Sequence, residues 1–139
     1  MTDLYGLLAQ IRKVDDVLFV IKSGGATAEI RSNLLAIRQS GKWITLGSND
    51  GPAHMHVNAE QTAYAEFVQE QKPERTSFSV RFYGDGGERV LAAFFTKMYD
   101  ESGSIIPWRK RAYTEILQKY NGKRVTFVKN ALPKNDRAD

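Results

Sequence analysis

The sequence predicts an α+β domain, a large antiparallel sheet of hairpins with an N-terminal and a C-terminal helix. Three observations predict it. β-rich runs follow one another directly, separated by short turns that contain glycine. The 3.6-residue period of an amphipathic helix is clearest near the two ends of the chain. In Ser77–Tyr83, Phe78, Val80 and Phe82 share one face, and Ser77, Ser79, Arg81 and Tyr83 share the other. That alternation marks an antiparallel strand whose two faces meet different surroundings.

The elements follow in order. Leu4, Leu7, Leu8 and Ile11 have helical spacing, and Thr2 or Asp3 can cap the helix. Val17–Lys22 reads as a strand, Ser23-Gly24-Gly25 as a tight turn, and Ala26–Arg31 as the partner strand. A second hairpin pairs Leu34–Arg38 with Trp43–Leu46 across Gln39–Lys42. His54-Met55-His56-Val57 reads as a strand after the turn at Gly51-Pro52. Thr62–Glu70 fits a strand if Ala63, Ala65 and Phe67 face inward, but a helix fits nearly as well. A third hairpin joins Ser77–Tyr83 to Arg89–Phe95 across Gly84-Asp85-Gly86-Gly87.

Gly103-Ser104 opens the second helix. There Ile105, Trp108, Ala112, Ile116 and Tyr120 form one stripe, with Leu117 beside it and Arg109, Lys110, Gln118 and Lys119 opposite. Pro107 is tolerated in its first turn and Asn121-Gly122 stops it. Lys123–Lys129 is the last strand. The expected domain is residues 1–129, and Asn130 to Asp139 reads as a polar, frayed tail.

Composition narrows the function classes. At 139 residues the chain is long enough for one domain with a real core. With no cysteine, disulfides, Cys-based zinc sites, iron–sulfur clusters and thiolate chemistry are excluded. The net charge of +4 is mild. There is no dense basic stripe with interleaved aromatics, so no nucleic-acid partner is expected. No apolar run approaches the roughly 20 residues of a membrane span, so no membrane partner is expected. The first residues lack a basic start and a long apolar region. With the absence of cysteine, this predicts a cytoplasmic location.

The two histidines, His54 and His56, carry the chemistry most worth weighing. On a strand they share a face, with Ala53, Met55 and Val57 turned the other way. Two imidazoles side by side can ligate a metal or a haem iron, do acid–base work, or simply stand in water. Zinc or copper wants three or four ligands, and carboxylates such as Asp50 or Glu60 would have to complete the set. No metal site is therefore expected. Haem needs only one protein ligand, and histidine or tyrosine will serve. The polar strand face of Arg81 and Tyr83, and Lys97, Tyr99 and Tyr64 elsewhere, form a second group. Arginine and lysine pair with carboxylates, and tyrosine donates a hydrogen bond or binds ferric iron. Trp43, Phe67, Phe78, Phe82, Phe94, Phe95, Trp108 and Phe127 lie on apolar faces and read mostly as core. The glycine loops read as hairpin turns, because no helix follows them to cradle a phosphate.

The stretch from Gly47 to Phe95 resembles a known family. It holds Gly-Ser-Asn-Asp-Gly-Pro-Ala-His-Met-His-Val-Asn, then Phe67-Val-Gln-Glu-Gln-Lys-Pro73, then Ser77-Phe-Ser-Val-Arg-Phe-Tyr-Gly-Asp-Gly-Gly-Glu and Leu91 to Phe95. This order is similar to the cytosolic haem-utilisation carriers of bacteria, of the HutX/ChuX/HemS type. The resemblance implies an α+β fold on a large antiparallel sheet completed by a homodimer, and intracellular haem binding or transfer. By the resemblance, His54, His56, Arg81 and Tyr83 are the haem-site candidates, with a His or Tyr on iron and basic residues on the propionates. It points to a binding protein more than an enzyme. The alternatives are a haem-degrading or flavin-dependent enzyme on a related sheet, or a ligand-free dimeric interaction protein.

Overall fold

The computed structural model describes residues 3–33, 35–128 and 137–138 of the chain. Helix α1 (Leu4–Arg12) leads into eight consecutive strands. These are β1 (Val17–Ser23), β2 (Ala26–Arg31), β3 (Ile37–Ser40), β4 (Trp43–Gly47), β5 (His54–Asn58), β6 (Tyr64–Gln71), β7 (Thr76–Tyr83) and β8 (Arg89–Phe95). Helix α2 (Pro107–Lys119), β9 (Arg124–Thr126) and the short β10 (Arg137–Ala138) follow. All strand pairs are antiparallel, as the runs of hairpins predict. The strands form a six-stranded sheet, β2-β1-β8-β7-β6-β9, and a smaller one, β10-β3-β4-β5. Thr2, Leu34, Lys129 and most of the expected tail lie outside the described residues.

Local chemistry explains most boundaries. The Asp3 carboxylate accepts the Gly6 N–H at 2.6 Å and starts α1, which buries Leu4, Leu7, Leu8 and Ile11. Gly24, at φ 57, turns β1 into β2 so that Ser23 opposes Ala26. The ambiguous segment is a strand, with Ala65 and Phe67 buried, because β7 pairs along its full length. The second hairpin is displaced toward the C-terminus relative to the expectation. Strand β3 runs on to Ser40, and Gln39 is buried with its side-chain amide donating to the Gly41 carbonyl at 2.9 Å.

Helix α2 departs from its expected start and, in part, from its expected stripe, of which Ile116 is buried and Ile105, Leu117 and Tyr120 pack against the core. It begins at Pro107, because Asp100 holds the preceding turn by accepting from Ser102 and Ser104 N–H at 2.9 and 3.0 Å. Its buried residues are Arg109, Tyr113 and Ile116, while Trp108 is 54% exposed. The helix is thus rotated so that polar tips meet carbonyls. Arg109 Nη2 donates to the Asp15 carbonyl at 2.6 Å, and the Tyr113 hydroxyl donates to the Ser79 carbonyl at 2.9 Å. The Tyr113 ring meets Phe67, Phe78 and Phe95 edge-on, with centroids 5.0–5.8 Å away. Burial pushes the ionisation of Tyr113 well above its ordinary value.

One apolar core joins both helices to both sheets, and includes Leu8, Phe19, Leu46, Val57, Phe82, Leu91 and Tyr113. Each such side chain, fully buried, contributes about 1.5–3 kcal/mol relative to exposure. Phe67, Phe78, Phe82, Phe95 and Phe127 belong to it. Trp43 and Trp108 are exposed and Phe94 is half-buried, so the expectation that the aromatics are mostly core holds with these exceptions.

Candidate functional site

The small sheet has two unlike faces. Ile37, Gln39, Ile44, Leu46, Met55 and Val57 are buried, while Arg38, Ser40, Trp43, His54 and His56 are exposed. The period-2 expectation therefore holds for the histidine strand, with Met55 turned to the core and both imidazoles outside. Across the strand pair Thr45 opposes His56, and Gly47 opposes His54.

Two local features set the imidazoles in place. The Thr45 hydroxyl lies 2.9 Å from His56 Nδ1. In the tautomer protonated at Nδ1, that N–H donates to Thr45 and Nε2 keeps its lone pair for a ligand. The His54 and His56 rings are 5.2 Å apart and edge-on. Gly47 has φ 92, and a Cβ there would come within 2.5 Å of the Ala53 carbonyl oxygen and 3.0 Å of His54 Cα. Only glycine lets β5 begin this close to β4.

Trp43 stands on the same face, 44% exposed, with its ring 6.5 Å from that of His56 and edge-on to it. Arg38, Ser40, Trp43, Thr45 and His56 line an open cleft of about 330 Å³. The combination is a flat aromatic, an oriented imidazole and a cation beside an apolar surface. It suits a planar ligand that carries a metal and carboxylates. Among the described residues, no group of three or more His, Cys, Asp or Glu is placed to hold a bare metal ion.

Arg81 and Tyr83 stand elsewhere, on the large sheet, and each has partners of its own. Arg81 donates through Nε to Ser79 Oγ at 3.1 Å and through Nη2 to Glu70 at 3.0 Å. Tyr83 stacks on Tyr64 at 5.1 Å, and Arg124 covers the Tyr64 ring at 3.9 Å. The structure thus brings His54 and His56 together on one sheet and Arg81 and Tyr83 together on another. Arg38, Trp43 and Thr45 escaped the sequence reading as site residues. The signal was present, since Trp43 and Thr45 alternate with Ile44 and Leu46, but which set turns outward needs the second sheet.

This α+β architecture recurs in several solved structures. A structure from Agrobacterium tumefaciens superimposes with a TM-score of 0.69 at 20% identity, over 84% of this chain and 66% of that one. The haem-binding protein ChuX does so with a TM-score of 0.68 at 12% identity, over 81% and 69%. A protein from Erwinia carotovora gives 0.68 at 16% identity, over 82% and 69%. The chain therefore spans about two thirds of the length of these structures. At such identities the likeness concerns the fold. No curated protein matches the sequence significantly. A family model matches residues 6–127, most of the chain, and the chain belongs to the HutX/ChuX-like family.

Proposed function

We propose that this protein binds haem as a carrier, on the outer face of the small sheet. One observation carries the reading: His56 has its Nδ1 on Thr45 and its ring beside the exposed Trp43, in a cleft edged by Arg38. Haem supplies an iron for one imidazole and two propionates for cations. His56 is the first choice for the iron, with His54 next to it. Trp43 offers a face for the macrocycle, and Arg38 a fork for a propionate. The cleft is at the small end of the usual ligand-pocket range of about 300–1,000 Å³. Much of the macrocycle would then stay open, which suits handing it on. Arg81 and Tyr83 are the competing set, reached only from the large sheet.

The proposed setting is the cytoplasm, and the proposed assembly a homodimer. Among the described residues, β5 pairs only with β4, which leaves one strand edge for a second copy. Light scattering checks this, and a mass of one chain at micromolar concentration rejects the dimer.

Hemin titration tests the binding. The wild type should develop a saturable Soret band, and His54→Ala/His56→Ala should lose or shift it. A band unchanged in that variant but altered in Tyr83→Phe moves the ligand to the large sheet. No saturable band in the wild type rejects the carrier reading.

A further inference from the structure

A second cleft, of about 360 Å³, opens at one end of the large sheet. Lys72, Arg75 and Thr76, from the turn between β6 and β7, form one wall. Thr96, Lys97 and Tyr99, just past β8, form the other. Leu18 and Phe94, half-buried on neighbouring strands, supply an apolar floor.

The basic walls are held in place. The Tyr99 hydroxyl accepts the Thr76 N–H at 3.1 Å and donates to the Thr76 carbonyl at 2.8 Å. This clamp ties the two walls together and keeps the Arg75 guanidinium 4.9 Å from the centre of the Tyr99 ring. Lys97 and Asp16 both have left-handed backbones, at φ 56 and φ 63, and pair with each other at 3.3 Å. Such conformations persist outside glycine only where the surroundings enforce them. Here the Thr96 hydroxyl and N–H both donate to the Asp16 carbonyl, and Asn33 accepts the Asp16 N–H at 2.7 Å. Burial opposes the Asp16 charge, but the hydrogen bonds from Asn33 and Lys97 hold its carboxyl below the ordinary range.

The charges do not cancel. Asp16 answers Lys97, and Arg31 donates to Thr96 Oγ1 at 2.9 Å. Among the described residues, no ion pair joins Arg75 or Lys72 to a carboxylate, although the exposed Glu74 adjoins Arg75 in the chain. A purely polar anion would leave Leu18 and Phe94 wet, and a neutral apolar molecule would leave the two cations unused.

We propose that this cleft binds an organic anion with a carboxylate head and an apolar body. The carboxylate sits on Arg75 and Lys72, and the body lies on Leu18 and Phe94. The site is separate from the proposed haem face and does not rest on it.

Amide-resolved NMR titration with decanoate tests the proposal on the whole chain. Saturable shifts should cluster at Leu18, Arg75, Phe94 and Lys97. Arg75→Gln/Lys72→Gln changes only exposed side chains, and should weaken binding at least tenfold with the spectrum otherwise preserved. Decanol should bind at least tenfold more weakly than decanoate, and inorganic phosphate should not reproduce the shifts. His54→Ala/His56→Ala should bind decanoate as the wild type does. Absent or scattered shifts, or an unchanged affinity in the charge variant, overturn the proposal. So does decanol matching decanoate, phosphate matching it, or loss of binding in the histidine variant.

Discussion

In the small sheet, Ile44, Leu46, Met55 and Val57 fill the core while Trp43, His54 and His56 stand out on the opposite face. In the large sheet both faces carry apolar side chains. Phe67, Phe78, Val80, Phe82 and Phe95 lie under α2 and in the core, yet Val20, Ser79 and Ala92, which point the other way, are buried too. The polar groups of that outer face also pair among themselves, as Arg81 with Glu70 and Tyr83 with Tyr64. The same alternation thus gives one sheet that spends its side chains on the fold and one that keeps a face available. Stability and haem binding should therefore separate by sheet.

The sharpest break comes from the large sheet. Phe82→Ala, fully buried and stacked 6.2 Å from Phe127, should cost about 3–5 kcal/mol in chemical denaturation. A loss below about 1 kcal/mol would mean that the core tolerates the void, against close packing. Gly47→Ala should come next, at about 1–3 kcal/mol, from its positive φ and the approach of Ala53 and His54. It should also weaken haem uptake, because β5 must move.

Tyr113→Phe should cost about 1 kcal/mol, the hydrogen bond to Ser79. It carries a pH signature as well. The folded-state ionisation of Tyr113 lies above the unfolded value of 10.0. Its contribution is therefore complete below pH 10 and is lost as pH rises past that value, when the unfolded chain ionises first. Alkaline denaturation should be shallower in Tyr113→Phe than in the wild type, and an identical slope would contradict the assignment. The smallest effect on stability belongs to the open face. His56→Ala should change it by no more than about 0.5 kcal/mol while removing or shifting the Soret band. If His56→Ala instead unfolds the protein, the division between the sheets fails.

Much of this was legible locally. The run His54-Met55-His56-Val57 states its own strand and its own two faces, and Leu4, Leu7, Leu8 and Ile11 state theirs. Helix α2 was harder, because Trp108 and Ala112 of the expected apolar stripe compete with Arg109 and Tyr113, while Ile116 is buried as expected. The second set wins because a long polar side chain can bury its stem and still reach a carbonyl, as Arg109 and Tyr113 do. A count of apolar residues scores that arginine as exposed and that tryptophan as core.

The sequence by itself determined the kind of every element except β6 and β10, the hairpin order and the shared face of the two histidines. The reason is that a period of 2 or 3.6 is a property of neighbouring residues. Only the tertiary structure decided that the strands divide into two sheets, that Trp43 turns outward beside His56, and that Thr45 meets Nδ1 of that ring. Those outcomes depend on which strand pairs with which and in what register. Residues such as Thr45 and His56, 11 positions apart, acquire a relation only when that pairing is made.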